Sequence, residues 1–143
     1  MLECWNAGMP KCRNAGMDSH HTHMREHDRD ILDRTVAFAV RVIQVVDALP
    51  RRTSATEIGR EVMRSAASIG AHCREARRAR SPAEFRSKLA VAQQEAEETG
   101  YWLQLIVDAG ILPAPRLADL RDEAGQLLAM LIAAERTAAR SRR

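Results

Sequence analysis

From about residue 31 onward the chain alternates apolar and polar positions at helical spacing. Leu32, Thr35 or Val36, Ala39, Val42, Val46 and Leu49 recur at steps of three and four, and the run stops at Pro50, which cannot continue a helix. This predicts a first helix. Ser54-Ala-Thr-Glu57 has the form of a capping box and predicts the start of a second helix, with Ile58, Val62, Ala66, Ile69, Cys73 and Ala76 as its apolar stripe. Gly70 interrupts that stripe at a cost of about 1 kcal/mol against Ala, which marks it as a place for close approach by a neighbouring helix. Ser81-Pro-Ala-Glu84 is a second capping box, with Pro82 at the first helical position, so the second helix is expected to end near Arg80.

The third helix carries Phe85, Leu89, Ala92, Ala96, Thr99, Leu103 and Ile106 in unbroken steps of four and three, a heptad seam that supports a left-handed supercoil. Gly110 stands where a helix stop belongs, and Leu-Pro-Ala-Pro then makes a short rigid connection. Leu117, Leu120, Ala124, Leu127, Leu131 and Ala134 outline a fourth helix. Four helices joined by short turns pack up-down-up-down, so the fold class expected is all-α, an antiparallel four-helix bundle over residues 31–140.

The first 30 residues follow no such pattern. Cys4-Trp-Asn-Ala-Gly-Met and Cys12-Arg-Asn-Ala-Gly-Met form an imperfect direct repeat, too short for a solenoid, and a histidine-rich stretch follows. A disordered or loosely held tail is expected over residues 1–30. A rival reading is a metal site, because His20, His23 and His27 would share one helix face. No second ligand cluster supports it, and no cofactor or metal is expected.

Composition agrees with helix-on-helix packing. Aromatic residues make up only 3% of the chain, and Ala, Leu, Ile, Val and Met supply most of its apolar material. No uninterrupted apolar run reaches the roughly 18 residues of a membrane span, and the N-terminus lacks the pattern of a secretory signal, so a cytoplasmic protein without a membrane partner is expected. Three scattered cysteines, Cys4, Cys12 and Cys73, read as free thiols.

Charge changes the picture more. The net value is only +3, but residues 51–88 hold ten Arg or Lys against four acids, whereas residues 89–112 hold four acids and no base. The stretch from Arg64 to Phe85 concentrates Arg74, Arg77, Arg78 and Arg80 on the second helix rather than in a loop. Such polarity suits a polyanionic partner, or self-association in which a basic face meets an acidic one.

Catalytic constellations are scarce. Glu95 and Glu98 stand three apart, but no Glu-x-x-His pair of the di-metal bundle type occurs in residues 31–143, and no nucleophile elbow, P-loop or dinucleotide fingerprint is present. His72 and Cys73 are adjacent, yet neighbours on a helix point about 100° apart and cannot form a nucleophile–base pair. Cys73 reads as a buried thiol and Trp102 as core or subunit packing. Catalytic residues are not expected.

Residues 59–112 closely resemble the four-helix-bundle proteins related to those encoded in intervening sequences of bacterial 23S rRNA genes. The residues that carry the resemblance include Ser68-Ile69-Gly70-Ala71, Arg74-Glu75-Ala76, Glu84-Phe85, Lys88-Leu89, Glu95-Ala96, Glu98-Thr99 and Tyr101-Trp102-Leu103, within a similarity over most of residues 33–135. Where that family usually has Asn, often followed by Tyr, this chain has His72-Cys73. The resemblance implies a homo-oligomer, often a pentamer. A related branch comprises accessory proteins of diversity-generating retroelements, in which a basic helical barrel binds a reverse transcriptase and its RNA.

Two functions compete. One is a non-enzymatic oligomeric adaptor that binds RNA or DNA, or a ribonucleoprotein, through Arg64, Arg74, Arg77, Arg78, Arg80, Arg86 and Lys88, with Glu95, Glu98 and Trp102 at the subunit interface. The other is a protein-interaction scaffold without nucleic-acid binding, in which the same arginines pair with Glu95, Glu97 and Glu98. A solvated basic face is the third way to read the run.

Overall fold

The computed structural model describes residues 20–140, with side chains from residue 31 onward. Within them lie four helices, α1 (His20–Asp47), α2 (Thr53–Arg77), α3 (Pro82–Asp108) and α4 (Ala114–Arg140), and no strand. Each helix packs on the next, and α4 returns beside α1, where the packing is thinnest. Cross-helix bonds fix the directions as up-down-up-down. Arg64 on α2 reaches Glu98 on α3, Gln93 on α3 reaches Glu135 on α4, and Arg34 in the middle of α1 reaches Glu123 on α4. The fold is an antiparallel four-helix bundle, and no described helix is long and apolar enough to cross a membrane.

The seven seam residues expected on α3, from Phe85 to Ile106, are the seven that are buried there. They meet Val62, Ile69 and Cys73 of α2, Phe38 and Val42 of α1, and Leu117, Leu127 and Leu131 of α4 in one core. Truncating any of the larger ones to Ala would cost about 2–5 kcal/mol. Inside this core the hydroxyls of Ser65 and Thr99 are hydrogen bonded at 2.9 Å, and Thr99 also bonds the Glu95 carbonyl at 2.7 Å. These buried polar groups satisfy one another across the α2–α3 seam.

The turns follow local chemistry. Ser81 accepts a hydrogen bond from the Glu84 amide at 3.1 Å and Pro82 opens α3. The Glu84 carboxylate reaches back to the Arg80 amide at 2.8 Å, one residue before the cap, rather than to the cap itself. After α3, Gly110 takes φ +64°, while its amide bonds Val107 and the Ile111 amide bonds Ile106, the pattern of a Schellman stop.

Three expectations need correcting. Ser54–Glu57 does not cap α2, because the helix already begins at Thr53 and its N-cap is Arg52, which makes no side-chain capping bond. Thr56 instead bonds back to the Arg52 carbonyl through both its amide and its hydroxyl, which draws the helix start upstream. On α1, where Thr35 or Val36 was expected inward, Thr35 is buried and Val36 exposed, and Phe38 is buried in place of Ala39, which is half-buried. Thr35 wins over the more apolar Val36 because its hydroxyl is satisfied at 2.8 Å by the Leu32 carbonyl and its small side chain fits against Gly70. Finally, α1 begins at His20 rather than near residue 31. Residues 20–30 contain neither Gly nor Pro to stop a helix, and apolar periodicity marks only the part of a helix that packs. The direct repeat and the side chains of His20, His23 and His27 lie outside the described residues.

Candidate nucleic-acid interface

The register of the bundle gathers the basic residues at one end. The end of α2 and the start of α3 meet there, and because Gln93 bonds α4 at Leu131 and Glu135, the last turns of α4, with Arg136 and Arg140, arrive at the same end. Those two α4 arginines lie far from the central run in sequence, and no local pattern marks them.

Ion pairing divides the seven basic candidates into two groups. Arg64 is bound by Glu61 at 3.0 Å and by Glu98 at 2.6 Å. Its guanidinium pKa is raised, first by the hydrogen bond to Glu61 and then by the charge of Glu98. Lys88 lies 2.6 Å from Glu75, and the same Glu75 oxygen lies 3.2 Å from His72 Nδ1. The Lys88 hydrogen bond, followed by that of His72, holds the Glu75 carboxyl below its ordinary range, and Glu75 in turn raises Lys88. These two cations are internally neutralised.

Arg74, Arg77, Arg78, Arg80 and Arg86 form no ion pair among the described residues. Arg74 donates only a long bond, 3.5 Å, to the Gly70 carbonyl, and Arg86 is half-buried with its Nε unpartnered. Arg74, Arg78 and Arg80 are exposed and Arg77 is half-buried. Arg74 and Arg77 stand on the last turn of α2, and Arg78 and Arg80 follow in the turn to α3 rather than on the helix as expected. Two of them, Arg74 and Arg77, also complement the negative end of the α2 dipole.

The acidic candidates occupy a different place. Glu98 Oε1 accepts from Arg64 and also from Trp102 Nε1 at 3.1 Å, and Trp102 packs edge-on to Tyr101 with ring centroids 5.1 Å apart. Glu98 and Trp102 are thus tied to α2 of their own chain. Glu95 is half-buried with Oε2 unpartnered. No bond links Arg74, Arg77, Arg78 or Arg80 to Glu95, Glu97 or Glu98 within the chain, because those carboxylates stand on α3 about two turns or more beyond Lys88.

Among the described residues no group of three or more His, Cys, Asp or Glu is placed to hold a metal. Cys73 is fully buried, and burial pushes its thiol pKa up to about 12, the reverse of what a nucleophile needs. His72 bonds Glu75, not Cys73. A groove between α1 and α4, where those helices part, is lined by Arg41, Gln44, Val45 and Leu117 and lies at the other end from the arginine cluster.

No curated protein matches the chain. A solved structure from Bacteroides thetaiotaomicron, described as a protein of unknown function from the S23 ribosomal protein family, is similar to it with a TM-score of 0.72 and 31% identity, covering 77% of this chain and 98% of the other. Residues 27–133 match the family model described as 23S rRNA-intervening sequence protein. By that match, which runs from within α1 to within α4 over well over half of its length, the chain belongs to the 23S rRNA-intervening sequence protein family.

Proposed function

We propose that this protein is a non-enzymatic, homo-oligomeric adaptor that binds RNA or DNA through the basic end of its bundle. The observation that carries the reading is the division of the cations. Arg64 and Lys88 are taken up by carboxylates of their own chain, whereas Arg74, Arg77, Arg78 and Arg80 are left without one. A guanidinium cluster at the end of α2 and in the turn that follows, with Arg136 and Arg140 at the same end of the bundle, suits bidentate recognition of phosphate. The family's association with ribosomal RNA genes supports a nucleic-acid partner. The resemblance supports a ring, of which a pentamer is the form to test first, and a reverse transcriptase of a diversity-generating retroelement as the protein partner.

The test replaces Arg74, Arg77, Arg78 and Arg80 together by Gln, which has nearly the same helix propensity. Helicity should stay unchanged, while affinity for RNA and DNA falls uniformly across sequences. The slope of log affinity against log salt should flatten by about 0.9 for each duplex phosphate that the variant no longer neutralises. Wild-type binding with no salt dependence would reject the adaptor and leave the scaffold reading.

A further inference from the structure

Helices α1 and α4 meet at two successive levels with opposite chemistry. At the first, Arg34 Nε and Nη2 donate to the two carboxylate oxygens of Glu123, each at 3.0 Å. The two helices run antiparallel, so a position two turns further along α1 faces a position two turns back along α4. Arg41 stands seven residues after Arg34 and Arg116 seven residues before Glu123, each on the same helix face as its counterpart. The carboxylate of the first level is thus replaced at the second by another arginine.

Arg41 and Arg116 both line the groove in which α1 and α4 part, together with Gln44. Both are exposed, and neither is in an ion pair among the described residues. Among the described residues no acid lines the groove, and none stands in the first turn of α4. The apolar part of the lining includes Leu117 and Leu120, which are buried in the core, and Val45, which packs against it. The groove encloses about 190 Å³, less than the roughly 300 Å³ at which pockets for drug-sized ligands begin.

We propose that this groove binds a small, free phosphate monoester with a short apolar body. One guanidinium matches one carboxylate at the first level, so two guanidiniums without an acid match a head of two charges, which a phosphate monoester carries near neutral pH. Held by Arg41 from α1 and Arg116 from α4, the head makes charge-assisted bonds of the strong kind. The body lies on Val45, Leu117 and Leu120. Inorganic phosphate would satisfy the arginines and leave those side chains in water, so the ligand carries carbon. A nucleotide is too large for the space, and a sugar-phosphate strand has nothing apolar to offer it. By bridging α1 and α4 where their packing is thinnest, the ligand stabilises the folded chain by mass action. The site lies at the opposite end of the bundle from Arg74, Arg77, Arg78 and Arg80 and stands apart from the nucleic-acid reading.

The experiment is equilibrium dialysis of the full chain against phenyl phosphate as the probe, with helicity followed by circular dichroism. The wild type should take up one probe per chain, and inorganic phosphate and benzoate should each bind more weakly by roughly tenfold or more. Arg41→Gln and Arg116→Gln should each weaken the probe by a similar factor with helicity unchanged. Arg116→Glu, which returns a carboxylate to the position facing Arg41, should abolish probe binding and keep the fold. Replacing Arg74, Arg77, Arg78 and Arg80 by Gln should leave probe affinity as in the wild type, so that this site and the basic end succeed or fail separately. No uptake at millimolar probe overturns the site. So does uptake that survives Arg41→Gln with Arg116→Gln, or that disappears with the four arginines of the other end. Benzoate binding as tightly as phenyl phosphate overturns the two-charge head, and inorganic phosphate binding as tightly overturns the apolar body.

Discussion

Gly70 on α2 lies so close to Thr35 on α1 that a Cβ at Gly70 would stand 3.0 Å from Thr35 Oγ1 and 3.3 Å from its Cβ. Thr35 has no room to retreat, being 1% exposed and held by its bond to the Leu32 carbonyl. Gly70→Ala is therefore expected to lose stability by about 1–2 kcal/mol, because overpacking outweighs the better helix propensity of Ala. Gly125→Ala, on an exposed stretch of α4 with nothing within 4 Å, should instead gain about 0.5–1 kcal/mol. Urea unfolding of the two variants measures both, and a stabilised Gly70→Ala would show that α1 is free to shift.

The buried hydroxyls of Ser65 and Thr99 predict a coupled response. Thr99→Val alone removes the 2.9 Å bond and leaves the Ser65 hydroxyl with only its longer bond, 3.3 Å, to the Val62 carbonyl, and should cost about 1 kcal/mol. Ser65→Ala combined with Thr99→Val removes both polar groups and should cost less than the single change. A double-mutant cycle on chemical unfolding reads the interaction energy, and simple additivity would count against the pair acting as a unit.

Cys73 predicts a pH dependence with a definite sign. Its thiol is held up to about 12 in the folded chain by burial, well above the ordinary thiol value near 8.5 in an unfolded one. A raised pKa contributes stability that is present in full below about pH 8.5 and is lost as pH rises toward 12, because only the unfolded chain releases the proton easily. The melting temperature of the wild type should fall over that interval more steeply than that of Cys73→Ala. Alkylation of Cys73, followed by peptide mapping, should proceed no faster than unfolding.

The pairing of Arg64 with Glu61 and Glu98 separates it from the arginines of the α2 end. Arg64→Gln should leave stability nearly unchanged, as expected for a largely exposed pair, and leave nucleic-acid affinity nearly untouched. Arg78→Gln, at an exposed position without a carboxylate, should do the reverse. Filter binding on the two variants at one salt concentration tests the contrast, and equal losses would place both in the same interface.

Sequence by itself determined the four helices and most of their buried faces. Burial imposes a period that any packed helix must follow, and the heptad of α3 from Phe85 to Ile106 shows it residue for residue. Stops written in local chemistry were legible too, at Ser81 with Pro82 and at Gly110, because caps and left-handed turns involve only near neighbours. The start of α2 was not, since Ser54–Glu57 has the composition of a cap but the backbone bonds of Thr56 to Arg52 place the helix end elsewhere.

Only the tertiary structure decided which of two adjacent residues on α1 faces inward, Thr35 or Val36, because that choice depends on the glycine of another helix. It likewise decided which arginines keep their charge to themselves. Arg64 and Arg74 look alike in the sequence, but Glu98 lies 34 residues away from Arg64 and comes within 2.6 Å only when α2 and α3 pack. The bridge from Arg34 to Glu123, Gln126 and Met130, which closes α1 onto α4, and the arrival of Arg136 and Arg140 at the basic end have the same origin. Periodicity is a property of one helix at a time, whereas charge pairing and shared surfaces belong to the register between helices, which packing of the whole core sets.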